Sequence, residues 1–108
     1  MKSLKQFLVV FAVVIQTLEI TAYTPAEAPN RTASGVWPEM GVTCAADYIA
    51  GRKVPFGTVI EIPGMGSYIV QDRFGAGHNN RVDIYMLSVT DAMNWGRRWK
   101  ECRIIFPD

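Results

Sequence analysis

Five aspartates occur in this chain of 108 residues, and three of them stand where a strand would be expected to bury a hydrophobic side chain. Asp91 falls three places after Ser88 at the start of a short helical pattern and reads as its capping partner, and Asp108 is the terminal residue. Asp47, Asp72 and Asp83 close or interrupt apolar runs, in "GVTCAAD", "YIVQD" and "NRVDIYM". A carboxylate in such a place costs desolvation unless something compensates it. Taken singly, each is explained by an aspartate accepting backbone N–H groups at a turn. Taken together, strands that curl into one barrel would let acids near the same end converge, and a carboxyl close to others has its pKa raised. Such a group can stay protonated near neutral pH, act as a general acid and then serve as a base. That is the requirement for breaking a glycosidic bond. Three acids are equally suited to a hard cation such as calcium or magnesium, and spacing alone leaves both chemistries open.

The elements that must position these acids are short strands punctuated by Gly and Pro. "LEITAYT" (Leu18 to Thr24) has the β-branched alternation of a strand, and "PAEAPNRTASG" after it is a loop. "GVTCAA" (Gly41 to Ala46) makes a second strand. "TVIEI" (Thr58 to Ile62) and "SYIVQ" (Ser67 to Gln71) flank Pro63-Gly64-Met65-Gly66, which predicts a hairpin. "RVDIYM" and "CRIIF" complete the set. Between these two, "SVTDAMNWG" predicts a short helix with Ser88 as N-cap, Gly96 as stop, and Met93 and Trp95 on its packing face. The number of short strands favours a small β-barrel over a sandwich.

Composition narrows the function classes. The formal net charge is +1, and beyond Ile20 the acids and bases balance, which argues against a nucleic-acid partner held by phosphate neutralisation. The local cluster Arg97-Arg98-Trp99-Lys100 reads as a solvated helix end. At the N-terminus Lys2 and Lys5 precede "QFLVVFAVVIQTL", which carries no charge. Residues 1–19 therefore have the form of a signal-like or anchor segment, with weak membrane association at most, because a spanning helix needs about 20 apolar residues. Export to the cell envelope or medium follows from that reading. Ala22 and Ala28 end the two small-residue stretches that suit cleavage, and both lie in or near the first predicted strand. Cys44 and Cys102 are read as either one disulfide, closing a long loop in an exported protein, or two buried thiols. One histidine and no paired cysteines leave too few ligands for zinc, and His78, in the loop "GAGHNN", reads as a surface polar residue. No cofactor is expected, and the chain is expected to act as a monomer.

Six stretches in order then carry a resemblance: "TAYT" (Thr21 to Thr24), "TASG" (Thr32 to Gly35), "GVTCAAD", "VPFGTVIEIPG" (Val54 to Gly64), "YIVQD" and "NRVDIYM". Together they resemble the 3D domain, named for three aspartates and found in MltA-like lytic transglycosylases and in stationary-phase-survival proteins of Gram-positive bacteria. The resemblance spans nearly all of residues 20–108. It implies a mainly β fold, a small six-stranded double-psi β-barrel with one short helix. It also implies cleavage of the MurNAc–GlcNAc β-1,4 bond of peptidoglycan without water, leaving a 1,6-anhydro-muramyl end. Asp83 matches the acid/base of that reaction. Asp47 and Asp72 match residues that position sugar hydroxyls and keep the acid protonated; Thr21 matches a threonine lining the cleft, and Arg31, expected with it to bind substrate, stands where relatives have a lysine. One carboxyl suffices because the nucleophile, the sugar's own C6 hydroxyl, is intramolecular.

The chain departs from its relatives after the second aspartate. Where members commonly carry "DTGG", it has Asp72-Arg73-Phe74-Gly75, so the cleft is expected to differ there. Two other functions fit the same residues: a non-catalytic, expansin-like polysaccharide-binding barrel, with Trp37, Trp95, Trp99 and Tyr85 as candidate stacking faces, and a metal-dependent hydrolase.

Overall fold

A computed structural model of the chain describes residues 12–107. Six strands close into a barrel: β1 (Ala12–Tyr23), β2 (Thr43–Ala46), β5 (Val59–Ile62), β6 (Gly66–Asp72), β7 (Arg81–Tyr85) and β8 (Arg98–Phe106). Around the barrel their order is β1-β7-β2-β6-β5-β8, and two further two-residue strands, β3 (Tyr48–Ile49) and β4 (Arg52–Lys53), form a separate ribbon. Two pairs, β1·β7 and β2·β6, are parallel and the other four antiparallel. This is the closed six-stranded barrel expected. No helix among the described residues is long and apolar enough to cross a membrane.

Alternation builds the core. Leu18 and Ile20, Cys44 and Ala46, Ile60 and Ile62, Tyr68 and Val70, Val82 and Ile84, and Cys102, Ile104 and Phe106 all face inward and are buried. Each pair is two residues apart, the period at which a strand returns to one face. The hairpin falls where Pro63-Gly64 predicts it, with Ile62 opposite Gly66 and the Met65 amide donating to the Ile62 carbonyl at 3.0 Å. The one helix among the described residues, α1 (Val89–Trp95), is capped by the Ser88 hydroxyl, which accepts from the Asp91 amide, and Gly96 ends it at φ 66°.

Three expectations need correction, and one pair of alternatives, that for the cysteines, is resolved. The first strand begins at Ala12, six residues before Leu18, and its N-terminal half runs antiparallel to β8. The lysines and first apolar residues of the leader lie outside the described residues, but the barrel takes in the leader's end; cleavage after Ala22 or Ala28 would cut β1 from the chain. The basic cluster does not end the helix: Arg98, Trp99 and Lys100 open β8, while Arg97 pairs with Glu19 at 3.1 Å. Met93 is 76% exposed; Trp95 alone of the two predicted packing residues meets the core. Cys44 and Cys102 are both buried and free. They sit on β2 and β8, three strands apart around the ring in either direction, so the barrel core separates them.

Candidate active site

Hydrogen-bonding register brings four residues into one row across four strands. Thr21 on β1 pairs with Asp83 on β7, Asp83 with Ala45 on β2, and Ala45 with Asp72 on β6. Val82 and Ile84 point into the core, so Asp83 between them points outward. Parity alone would send Asp72 the other way, because Val70, two residues earlier, is a core residue. A register shift prevents this. Cys44 pairs with Val70 but Ala45 pairs with Asp72, leaving Gln71 as an extra residue on β6. Such a bulge re-aims the side chain that follows it, and here it turns Asp72 onto the face that carries Asp83. The acids thus converge on the outer face of the barrel wall and not at its end.

Beside them lies a residue that the sequence reading left out. Tyr23, two places after Thr21 and hence on the same face, packs edge-to-face against Tyr85 with ring centroids 5.3 Å apart. Tyr23, Ala45 and Tyr85 form a small buried cluster on this face. The Tyr23 hydroxyl donates to Asp72 Oδ2 at 3.1 Å. Burial, reinforced by the adjoining Asp72 and Asp83 charges, pushes its pKa far above the ordinary phenol value, so Tyr23 stays a donor. The signal was the spacing inside "TAYT". Asp72 Oδ1 accepts from the amides of Ala33 and Arg73, both at 2.9 Å, which fixes this carboxylate and ties the loop after β1 to the site.

Asp83 is held more loosely. The Thr21 hydroxyl donates to its Oδ1 at 2.8 Å. Burial raises its pKa above the usual carboxyl value; the Thr21 bond and the Arg81 charge pull it back, Glu27 and Asp72 push it up, and the balance remains raised. Removing the Thr21 hydroxyl removes one of the two influences that favour the charged form. For any activity that needs protonated Asp83, Thr21→Val is therefore expected to move the alkaline limb of the rate–pH profile to higher pH. The rate at its optimum is expected to fall by about tenfold, the worth of one hydrogen bond to a charged group.

Asp47 does not join this pair. Its carboxylate accepts from the amides of Phe74 (3.0 Å), Gly77 (2.9 Å) and His78 (3.1 Å). Burial alone would raise its pKa, but these amides and that of Gly75 outweigh it and hold Asp47 below the ordinary value. It stays ionised and clamps the loop between β6 and β7. The three acids therefore do not gather around one point, and among the described residues no group of three His, Cys, Asp or Glu side chains is placed to hold a metal ion. Arg31 is also apart: it donates to the Gly35 carbonyl at 3.2 Å and lies over the Trp37 ring, within the loop that contacts Asp72. His78 packs edge-on against Phe74 and lies 3.5 Å from Arg81. Of the four aromatic candidates, Trp37 and Trp99 are exposed, Tyr85 is buried, and Trp95 packs on the barrel with its indole N–H donating to the Ile20 carbonyl.

Residues 42–106 match the family described as the 3D domain, and the chain belongs to that family. Asp47, Asp72 and Asp83 fall within the matched span; Thr21, Tyr23 and Arg31 precede it. Among curated proteins, the chain is similar to the cell wall-binding protein YocH of Bacillus subtilis (strain 168), with 25% identity over 91 residues. That alignment takes in 82% of this chain but 32% of YocH, so the chain spans about a third of its relative's length.

Proposed function

We propose that this chain is a peptidoglycan lytic transglycosylase that cuts the MurNAc–GlcNAc β-1,4 bond, with Asp83 as its acid and base. The observation that carries the reading is the state of Asp83: raised in pKa by burial, held by one hydroxyl on one oxygen, and placed on an outer face beside a second acid. With Thr21 bonded to Oδ1, Oδ2 is the oxygen left to carry the proton. Protonated Asp83 gives that proton to the glycosidic oxygen as the C1–O bond breaks. The resulting carboxylate accepts the proton of the C6 hydroxyl as O6 bonds to C1. The acid is regenerated, no water is consumed, and a 1,6-anhydro end is left.

The other residues divide the remaining work. Asp72, fixed by two amides and Tyr23, holds sugar hydroxyls and adds negative potential that keeps Asp83 protonated. Asp47 shapes the loop beneath it, and Thr21 orients Asp83. Half-buried acids on an open sheet face suit a polymer laid across the barrel. Work on or binding to the wall, in the cell envelope, is supported by the family and by the cell wall-binding relative.

A second reading, wall binding without cleavage, is favoured by the relative's name and by Trp37, a 60% exposed ring on the loop that reaches Asp72. Mixing the protein with purified cell wall separates the two. Co-sedimentation together with release of soluble glycan supports the enzyme; co-sedimentation with no release supports the binder.

A further inference from the structure

Arg73, which follows Asp72, lines a feature that the proposed cleavage does not use. Immediately after Asp72 the chain turns, and a cavity of about 300 Å³ opens between Asp47, Tyr48, Lys53, Arg73, Gly75 and Gly77. Arg73 is half-buried and held from two sides: its Nη1 donates to the Ala46 carbonyl at 2.9 Å, and its guanidinium lies 4.0 Å from the centre of the Phe56 ring. A guanidinium fixed in this way loses little freedom when it binds, and its other N–H groups match the two oxygens of a carboxylate. Lys53, on β4, brings a second cation to the rim. Among the described residues neither cation is in a salt bridge. The one acid lining the cavity, Asp47, already accepts three amide N–H groups. The cavity is therefore electropositive, with room for a small anionic group.

Its position selects the anion. Asp72 and Arg73 are consecutive, so their Cα atoms are about 3.8 Å apart, and the cavity adjoins the face on which the glycan would lie. On a peptidoglycan strand the carboxylates closest to the sugars belong to the peptide stem attached to the muramyl residue.

We propose that Arg73 and Lys53 bind a carboxylate of that peptide stem, making the protein selective for stem-bearing glycan; this rests on the peptidoglycan reading above. The test is the affinity of the full chain for soluble glycan strands with stems and for the same strands stripped of stems by an amidase, with the lactyl carboxyl that the amidase frees capped as its methyl amide. Stem-bearing strands are expected to bind about tenfold more tightly, the order of a charge-assisted pair. Lys53→Gln, on an exposed side chain that leaves the core untouched, and Arg73→Gln are each expected to erase most of that difference without weakening binding to stripped strands. Equal affinity for both kinds of strand overturns the subsite and leaves the peptidoglycan reading standing, as does an equal loss on both kinds in Lys53→Gln. Failure of wild-type protein to bind either strand overturns the two together.

Discussion

Asp83→Asn is expected to lower glycan release from cell wall by about a hundredfold or more, the contribution of a positioned general acid and base, without lowering stability at neutral pH. The two halves of this result come from one cause. Asparagine is nearly isosteric and still offers an oxygen to the Thr21 hydroxyl, so the contact at 2.8 Å survives. It can neither give nor take the proton. The stability half follows from the raised pKa of Asp83. A carboxyl whose folded pKa lies above its unfolded value contributes stability at pH values below the unfolded value, near 3.9, and loses that contribution as pH rises through the folded one. To the extent that Asp83 ionises it burdens the fold, and asparagine lifts that burden. Thermal unfolding at pH 7 should show a midpoint equal to wild type or higher. A variant that loses both lysis and stability would mean that Asp83 is structural, and unchanged lysis would remove it from the chemistry.

Asp47→Ala should behave in the opposite way, losing stability first and activity as a result. Asp47 is 5% exposed and accepts three loop amides. Truncation leaves those donors without their charged acceptor, and a loss of about 3 to 5 kcal/mol is expected, the range for breaking a buried network of this kind. In a domain of this size that lowers the unfolding midpoint by roughly 15 °C or more. The pH dependence is also opposite in sign. With its folded pKa depressed, Asp47 stabilises the protein above the unfolded value, near 3.9, and that stabilisation is lost as pH falls through the folded one. Acid unfolding of wild type should therefore be steeper than that of Asp47→Ala. An alanine variant as stable as wild type would contradict the clamp.

The two aspartates look alike in sequence because "GVTCAAD" and "NRVDIYM" both place an acid beside apolar residues, and only register tells which face each acid takes. The hairpin at Pro63-Gly64 and the helix between Ser88 and Gly96 were legible because their signals are local. The bulge at Gln71 was not: nothing in "YIVQD" says that Asp72 will turn out of the core, since the shift depends on β2 alongside it. The length of β1 was hidden for a different reason. Val13 and Ile15 are apolar yet 46% and 66% exposed, so the alternation that marks a strand vanished into a continuous apolar run that also reads as a leader. In β8 the opposite occurred, since Arg98, Trp99 and Lys100 carry two cations and an exposed ring with no buried alternation and, with Arg97, read as a helix end. The family resemblance grouped Asp47 with Asp72 and Asp83, whereas register brings the latter two onto one face and the loop amides set Asp47 apart.

Under the proposed mechanism the glycosidic bond is broken by the sugar's own hydroxyl under the control of Asp83. Mass spectrometry of the sugar ends released from purified cell wall by the full chain decides whether this is so. A product one water lighter than the reducing sugar, and resistant to borohydride reduction, is the expected anhydro end. A reducible muramyl end would show that water is the nucleophile, and the absence of any new end would leave a protein that holds the wall without cutting it; either result would refute transglycosylation by Asp83.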